Sequence, residues 1–437
     1  MNILHKPASL MQRRALFVTF AVPENPGISA NGFHRRQRLL IDAIKATNTD
    51  IEVLFYVQPE LDDRDESLRL EIESRLNDLW EGRFRVTLCT REAIRPERIS
   101  WWKRYLLPAL SFFRQSAYFS FSGPDQVAAF EDCLSRKPNF IFVHRLMCMP
   151  PVFLSRLELP PVFLDLDDIE HVAFARSIAQ PPNWASKRLE YLQLPALMNA
   201  ERRAIHRCAN TFVCSEHDRD KLKKTFRTSK VVAVPNAIAL RPQSDSLTDK
   251  KSLLLLGDYR YGPNRIGAEF FIENIWPRII DAIPEARITI AGVRSDLIRQ
   301  ASAAPQGIDF PGFLPDLDAA YAGTRIVVCP ILSGGGTRVK IMEAAAYGKP
   351  VVATAIGAEG IDLLNDSEIF LRDRPDEYAD ACIELLQNHA KALETGRRAA
   401  RAIEIRYDRS AVVSRLAGVL NESISPSQSG EISPNLI

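Results

Sequence analysis

Short apolar runs alternate along the chain with longer segments whose apolar residues recur at helical spacing. The short runs are almost continuously apolar, which is typical of strands that are covered on both faces of a parallel sheet. Their alternation with helical segments predicts βαβ units and an α/β fold. The predicted strands are residues 15–20, 51–57, 84–89, 140–143, 161–166, 211–214, 231–234, 252–256, 287–292, 325–330 and 350–354.

The alternation breaks once, at the polar stretch ALRPQSDSLTDKK, which contains no apolar period. We interpret this stretch as a linker between two sets of βα repeats. Near the C-terminus, RYDRSAVVSRLAGVLN shows helical spacing, and the polar residues after it have the composition of a disordered end. The predicted division is a flexible lead (1–13), an N-terminal domain (14–238), the linker (239–251), a C-terminal domain (252–405), a closing helix (406–422) and a disordered tail (423–437).

Composition excludes several classes of protein. The chain is 46% hydrophobic and 25% charged, as in ordinary globular proteins, and its net charge of +2 gives no general attraction to nucleic acid. Its seven cysteines show neither CxxC nor Cys/His ligand spacing, so we expect no disulfide framework or zinc site and a reducing compartment. The apolar run ALFVTFAV is too short to span a membrane, and we expect a cytoplasmic protein.

The stretch SGGGTRVKIME, residues 333–343, carries the strongest chemical signal. Its glycines leave the backbone open to a ligand, and the helix that follows presents unpaired N–H groups, with Arg338 and Lys340 adding positive charge. Glu343 lies among apolar residues and needs a hydrogen-bonding partner, which ligand hydroxyls would supply. We therefore predict an anion site here. The alternative is an ordinary strand–helix joint with Glu343 facing solvent.

The longer stretch GGGTRVKIMEAAAYGKPVVATAIGAEGI resembles the donor-binding motif of the family-4, group 1 glycosyltransferases of the GT-B fold, of bacterial type. The resemblance implies two Rossmann-like domains whose parallel sheets face each other across a cleft, with a C-terminal closing helix. It implies that Glu343 binds the ribose of a nucleotide sugar and that the backbone at Gly336 and Thr337 contacts the pyrophosphate. The family often has a second glutamate eight residues before the first, where this chain has Gly335.

Further segments extend the resemblance to most of the chain. By similarity to the opening of the family's C-terminal domain, LLLLGDYRYGPNRIGAEFF places Arg260 and Arg265 near the diphosphate, with Asn264 as a helix cap. Glu359, in the Gly-Ala-Glu-Gly loop, is assigned to the donor site. Residues 312–315 would lie close to the base. The alternative for the arginine segment is an ordinary polar loop.

The N-terminal half offers weaker candidates. In PENPGISANGFHRRQRLL, the position of the loop predicts that Gly32 approaches the donor phosphates and that Arg35 or Arg36 meets an acceptor. The alternative is a capped loop followed by a basic, solvated helix face. His144 follows a strand, and the resemblance implies that it contacts the donor sugar, although a lone histidine is more often structural.

An acidic cluster follows the next predicted strand, in DLDDIEH. Asp165, Asp167, Asp168 and Glu170 are candidates to hold acceptor hydroxyls, to cap the following helix or to pair with Arg176; we assign Asp167 and Asp168 to the acceptor. Their spacing also suggests a cation, but a complete oxygen-ligand loop is missing. The resembled family is generally metal-independent, so we expect no metal and no cofactor beyond the donor substrate.

Two other stretches carry structural expectations. Trp101, Trp102 and two phenylalanines lie among arginines and lysines in residues 95–119, and such a segment can lie on an anionic membrane surface. The alternative is a helical insertion with its own core. In FVCSEHD, Ser215 is predicted to cap a helix together with Asp218.

Together these patterns predict a retaining, metal-independent glycosyltransferase that moves a sugar from a nucleoside-diphosphate sugar to a saccharide or lipid-linked acceptor. We expect this activity to serve cell-surface polysaccharide or glycolipid synthesis. Arg338 and Lys340 would stabilise the leaving diphosphate, with His144 at the sugar. The alternatives are a sugar-nucleotide epimerase and a non-catalytic assembly protein on the same fold. A dinucleotide dehydrogenase is disfavoured because GDYRYG is not GxGxxG.

Overall fold

The computed structural model contains two parallel β-sheets, one in each half of the chain. It describes residues 13–23, 32–91, 121–179, 185–240, 247–303 and 305–424. The predicted lead up to residue 12, the membrane-contact segment 95–119, the middle of the linker (241–246) and the tail from residue 425 lie outside this description. Among the described residues, no helix combines the length and apolarity needed to cross a membrane.

The N-terminal sheet has seven strands in the order β3-β2-β1-β4-β5-β6-β7, and every neighbouring pair is parallel. The strands are β1 (Arg13–Phe20), β2 (Thr49–Val57), β3 (Phe84–Thr90), β4 (Phe140–His144), β5 (Val162–Asp167), β6 (Asn210–Val213) and β7 (Val231–Ala233).

The C-terminal sheet has six strands in the order β10-β9-β8-β11-β12-β13, again all parallel. The strands are β8 (Ser252–Leu256), β9 (Arg287–Ala291), β10 (Ile308–Gly312), β11 (Ile326–Cys329), β12 (Val351–Ala353) and β13 (Phe370–Leu371).

The helices fill the connections between the strands. They are α1 (Gly32–Lys45), α2 (Glu66–Trp80), α3 (Pro124–Ser135), α4 (Pro150–Leu154), α5 (Glu170–Ala179), α6 (Ala185–Arg188), α7 (Leu194–Arg207), α8 (Glu216–Phe226), α9 (Gly262–Asn274), α10 (Trp276–Ala282), α11 (Leu317–Ala322), α12 (Val339–Ala346), α13 (Pro375–Gln387), α14 (His389–Tyr407) and α15 (Arg409–Ile424). Short 3₁₀ turns cover Leu146–Cys148, Leu189–Gln193, Ser295–Leu297 and Ala301–Ala303.

The predicted α/β class and the parallel sheets are confirmed. Alternate residues of β1 enter opposite hydrophobic clusters: Leu16 and Val18 pack on one face of the sheet, and Ala15 and Phe17 on the other. A strand covered on both faces has to be apolar throughout, which is why the continuous runs located the strands.

Two strands were missed by the sequence reading. β10 has the sequence IDFPG, in which buried and exposed positions alternate around a proline, and it lies at the edge of the sheet. β13 has only two residues. Neither forms the continuous apolar run that marks a central strand, so both lack the signal that found the others.

The chain crosses between its two halves twice, at neighbouring positions. Ile238 donates its backbone N–H to the Tyr407 carbonyl at 3.0 Å and forms a parallel bridge with Asp408. Helix α15 then returns to the N-terminal half, where Leu416 and Leu420 join the cluster formed by α1 and its sheet. The last helix therefore packs on the first domain and ties the two halves together.

In both sheets the order in which successive strands are added reverses at the centre, although all the strands are parallel. In the N-terminal sheet this switch lies between β1 and β4, and in the C-terminal sheet between β8 and β11. Open α/β sheets bind ligands beyond the carboxyl ends of the strands at such switch points. We therefore expect a ligand site among the residues that follow β1, β4 and β5 in one sheet and β8, β11 and β12 in the other.

Candidate active site

The glycine loop, residues 333–338, joins β11 to α12 and has backbone conformations that favour glycine. Gly334 and Gly336 have φ angles of +105° and +71°. A Cβ atom on Gly336 would lie 1.9 Å from Asp168 Oδ1, a separation that no side chain tolerates. Only glycine therefore allows the backbone to reach this position against the N-terminal domain.

Arg338 stabilises the curve of its own loop. Its guanidinium donates to the carbonyl oxygens of Gly335, of Gly336 at 2.6 Å and of Ser333 at 3.2 Å. Its Nε is buried and has no hydrogen-bond partner among the described residues. Arg338, one of the two predicted catalytic cations, thus lies in the loop. Most of its N–H groups hold the backbone that would receive a diphosphate.

Lys340, one residue inside α12, anchors that helix to the neighbouring strand. Its Nζ donates to the Leu256 carbonyl at 2.7 Å and to Asn264 Oδ1 at 2.9 Å. Burial lowers its pKa, because a low-dielectric environment penalises the ammonium form. The predicted cation therefore lies at the end of β8 beside α9, on the helix that follows the glycine loop.

The predicted helix cap at Asn264 is wrong. Helix α9 begins at Gly262, its N-cap is Tyr261, and Asn264 is already inside the first turn. Its side chain instead donates to the Asp258 carbonyl at 2.9 Å and accepts from Lys340. Asn264 therefore connects the loop after β8 with Lys340 and does not cap the helix.

The two arginines predicted to meet the diphosphate differ from each other in exposure. Arg260 is exposed and forms an ion pair with Asp258 at 2.6 Å. Arg265, on the first turns of α9, is half-buried. Both belong to the segment after β8, at the switch point, but the described contacts do not bring either of them to the glycine loop.

Glu343 contacts a residue of the opposite domain. Its Oε1 lies 2.5 Å from Nη1 of Arg35 on α1, and both side chains are partly buried. The solvent-facing alternative for Glu343 is therefore wrong. Gly32, at the start of α1, faces the same helix, since a Cβ atom there would lie 3.7 Å from Val339 Cγ2. Two predicted N-terminal residues are thus brought to α12.

Asp168 contributes a carboxyl group to the glycine loop from across the cleft. A Cβ atom on Gly335 would lie 3.2 Å from Ala173 Cβ and 3.5 Å from Asp168 Cγ. A long side chain at position 335 would therefore displace α5 or meet a second carboxylate. This packing accounts physically for glycine at the position where the resembled family often has glutamate.

The acidic cluster pairs with Arg145, and the suggested pairing with Arg176 is wrong. Arg145, the residue after β4, reaches Asp167 Oδ2 at 2.6 Å and Asp168 Oδ2 at 3.5 Å. Asp167 also accepts a hydrogen bond from Cys214 Sγ at 2.5 Å. In the described ranges no three His, Cys, Asp or Glu side chains converge in the manner of metal ligands.

The carboxyl groups of this cluster have different proton affinities. Burial raises the pKa of Asp168 to about 6, and the charge of Asp167 adds to the rise. Burial raises the pKa of Glu170 to about 7. For Asp167, burial is outweighed by Arg145 and Arg36, so its pKa lies below the ordinary value. The cluster therefore holds protons close to neutral pH at the edge of the glycine loop.

Arg36 is a structural residue, so the proposal that it meets an acceptor is wrong. It is fully buried and binds Asp165 through Nη2 at 2.6 Å and through Nε at 3.2 Å. Its Nη1 donates to the Val234 carbonyl at 2.6 Å. This residue therefore connects α1, β5 and the end of β7 inside the N-terminal domain.

His144 is buried at the end of β4. Its Nδ1 lies 3.1 Å from Thr19 Oγ1, and its ring packs on Phe33 with centroids 4.6 Å apart. Burial lowers its pKa well below the usual range, and the positive charge of Arg145 adds to this effect. The imidazole is therefore neutral at neutral pH and suited to hydrogen bonding rather than to carrying a charge.

Two further contacts cross between the domains, and sequence reasoning did not find them. Arg176 on α5 forms a two-point ion pair with Glu359, with Nη2 to Oε1 at 2.7 Å, and donates to the Gly334 carbonyl at 3.0 Å. Asn236 Nδ2 donates to Thr337 Oγ1 at 2.6 Å. The predicted donor residues Glu359 and Thr337 are thus both contacted from the N-terminal half.

The predicted donor and acceptor residues therefore meet along one interdomain surface. Arg35, Asp168 and Arg176 reach it from the N-terminal domain, whereas the glycine loop and Glu343 reach it from the C-terminal domain. His144 and Asp167 lie behind this surface in the N-terminal core. Arg145 could have been noticed as a cation directly after an apolar strand, but its acidic partners could not have been read from spacing.

Comparison with known proteins gives a family match in the C-terminal half. Residues 250–388 match the family model described as Glycosyl transferases group 1. A protein of Klebsiella pneumoniae described as an uncharacterized 44.6 kDa protein in the cps region is 25% identical over 174 residues. That match covers 38% of this chain and 45% of the relative, so the chain spans less than half of the relative's length.

Solved structures with the same fold match nearly the whole chain. Sucrose-phosphate synthase from Thermosynechococcus elongatus has a TM-score of 0.66 at 14% identity and covers 93% of this chain and 98% of its own. TarM has a TM-score of 0.66 at 10% identity, with 95% and 99% covered. HepE of Anabaena, solved in complex with UDP, has a TM-score of 0.60 at 14% identity, with 94% and 100% covered.

These similarities confirm the resemblance seen in the sequence. At such low identity the structural matches establish the fold alone. The chain therefore has the GT-B fold, and its residues 250–388 are similar to the family of Glycosyl transferases group 1.

Proposed function

We propose that this protein is a retaining glycosyltransferase that takes a sugar from a nucleoside-diphosphate sugar, without a metal ion or other cofactor. The observation that carries the proposal is the glycine loop at the C-terminal switch point, which leads into a helix that carries the partly buried Lys340 and Glu343. A bared helix start with nearby cations is suited to a diphosphate, and a carboxylate two turns into the helix is suited to ribose hydroxyls.

The loop would act on the leaving group. As the bond between the sugar and the diphosphate breaks, negative charge grows on the phosphate oxygens. Backbone N–H groups at Gly336 and Thr337 and the positive potential of Arg338 and Lys340 would stabilise that charge without reorganising. His144 is neutral and buried behind the interdomain surface, so we assign it no proton transfer.

We propose UDP as the nucleotide of the donor. Support comes from proteins of the same fold that were solved with this nucleotide: HepE with UDP and with UDP-glucose, and the Escherichia coli protein solved with UDP-2-fluoro glucose. The acceptor is proposed to be a saccharide or a lipid-linked saccharide in cell-surface polysaccharide or glycolipid synthesis. The similarity to a protein of the Klebsiella pneumoniae cps region is in keeping with that role.

A cytoplasmic location with peripheral contact at an anionic membrane face is also proposed. The segment predicted for this contact, 95–119, lies outside the described residues, but the described chain has a basic surface on α7. This basic surface of α7 surrounds a cavity of about 610 Å³, which is lined by Phe153, Asn199, Arg202, Arg203, His206 and Arg207. Cosedimentation with phosphatidylglycerol vesicles, compared with neutral vesicles and with Arg202→Ala/Arg207→Ala, tests this contact.

The donor site is tested by thermal-shift measurements with UDP, GDP, ADP and TDP and their sugars. We expect one nucleotide to raise the melting temperature of the wild type by mass action and Glu343→Ala to lose most of that shift. Asp318→Ala, which removes an exposed carboxylate of the same domain, is the matched control and should retain the shift. If no nucleotide stabilises the wild type, the donor site is refuted and the non-catalytic assembly protein becomes the better explanation.

A further inference from the structure

Arg176 is the point at which the N-terminal domain contacts two separate loops of the C-terminal domain. It lies on α5 and is only partly exposed. Both of its terminal nitrogens bind the Glu359 carboxylate, and Nη1 also donates to the Gly334 carbonyl at 3.0 Å. Gly334 belongs to the glycine loop, and Glu359 belongs to the segment after β12. One side chain therefore holds both segments in a fixed relation.

The geometry requires the planar fork of arginine. Two parallel N–H groups bind the two oxygens of a carboxylate, and one nitrogen retains a second donor for a carbonyl. A lysine would supply its donors from a single atom and could not form the two parallel bonds to the carboxylate. Gly334 has a φ angle of +105°, so the direction of its carbonyl belongs to the unusual backbone path that shapes the loop.

Neighbouring groups support the same contact. His217 Nε2 lies 3.9 Å from Glu359 Oε1, and Gly360 packs against Ser215 at the start of α8. The hydrogen bond with Arg176 lowers the pKa of Glu359, so this carboxylate is ionised at neutral pH. The pair is therefore charged whenever the two domains adopt this arrangement.

On the basis of the proposed transferase activity, we propose that Arg176 is a positioning residue for sugar transfer. It acts through Gly334 and Glu359, fixing the path of the glycine loop against the adjoining segment when the domains are together. Nucleotide binding is proposed to depend mainly on the glycine loop and Glu343 of the C-terminal domain, whereas the transfer step needs the loop in its final geometry. Loss of Arg176 should therefore reduce kcat much more than it weakens nucleotide binding, since small misplacements can reduce rates by about a hundredfold.

The experiment measures UDP release from UDP-glucose, UDP-N-acetylglucosamine and UDP-galactose with water as the acceptor, together with the Kd for UDP. Arg176→Ala is expected to lower kcat by roughly ten- to a hundredfold with less than a threefold change in Kd. Arg176→Lys should retain an intermediate rate. Arg219→Ala, which removes an ion-paired surface arginine of α8, is the matched control and should behave as wild type.

A double-mutant cycle tests whether Arg176 acts through its ion pair with Glu359. If Arg176 acts through Glu359, the double variant Arg176→Ala/Glu359→Ala should be about as slow as Arg176→Ala alone. A wild-type protein that releases UDP while Arg176→Ala remains within twofold of its kcat overturns the positioning role and leaves the proposed function intact. A folded wild type that binds none of UDP, GDP, ADP and TDP overturns the proposed function and the positioning role with it.

Discussion

The buried ion pair of the N-terminal domain gives the sharpest prediction about stability. Arg36 and Asp165 are both fully buried, and Arg36 makes a further hydrogen bond to the Val234 carbonyl. The change Arg36→Met would leave the Asp165 carboxylate without its charged partner and the carbonyl without a donor. Removing one member of a buried pair typically costs about 3–5 kcal/mol, because the remaining charge is uncompensated. We expect a loss of about 4 kcal/mol, a large part of a typical domain stability of about 5–15 kcal/mol.

The dependence on pH follows from the remaining carboxyl group. Burial already raises the pKa of Asp165 while Arg36 opposes the rise, so the variant should raise it further. A group whose pKa is higher in the folded state favours folding at low pH and loses that contribution as pH rises through the folded value. The difference in stability between wild type and variant should therefore widen as pH rises.

The assay is urea unfolding followed by circular dichroism at several pH values. Arg38→Met is the matched control, since it removes a partly exposed arginine of the same helix that pairs with Asp42 at 3.1 Å, and it should cost less than about 1 kcal/mol. Asp165→Asn combined with Arg36→Met should recover part of the loss, because no buried charge remains. A cost for Arg36→Met equal to that of the control, or a difference that narrows as pH rises, would refute the reasoning.

Two further predictions concern the glycine loop. Gly336→Ala should reduce UDP release at least tenfold, because the backbone there has a positive φ and a Cβ atom would collide with Asp168. The control Gly323→Ala should change the rate little, because Gly323 has an ordinary φ and a Cβ atom there would have its nearest contact at 3.5 Å. Equal rates for the two variants would contradict this prediction. The affinity for UDP should fall as pH rises through the Asp168 pKa of about 6, since an ionised carboxyl would repel the diphosphate. In calorimetry at pH 7.5, Asp168→Asn should bind UDP about tenfold more tightly than wild type, which corresponds to the loss of a repulsion of ~1.4 kcal/mol. Identical affinities would exclude this repulsion.

Local signals were sufficient for most of the fold. The continuous apolar runs located the central strands, and Ser215 does cap α8 by accepting the Asp218 N–H at 3.0 Å. The partly buried position of Glu343 in α12 was also visible from its apolar neighbours. These features depend on residues only a few positions apart, so the sequence displays them directly. The edge strand β10 lacked such a signal and was missed.

The roles of individual charged residues depended on contacts that no local pattern contains. Arg35 and Arg36 are adjacent arginines, yet one faces the opposite domain and the other is buried in the core, because successive residues of a helix point in directions about 100° apart. Arg36 lies three and four residues before the buried Leu39 and Leu40, on the same face of α1. This spacing was a signal that could have placed Arg36 in the core.

By itself the sequence determined the α/β class, the order of the central strands and their helices, and the composition of the glycine loop. Only the tertiary structure decided which side chains meet across the domains: Arg176 with Glu359, 183 positions away, and Asp168 with Gly336. The physical reason is that secondary structure follows from short-range periodicity, whereas these pairs form only when two separately folded sheets are brought together by the chain crossings at Ile238 and α15.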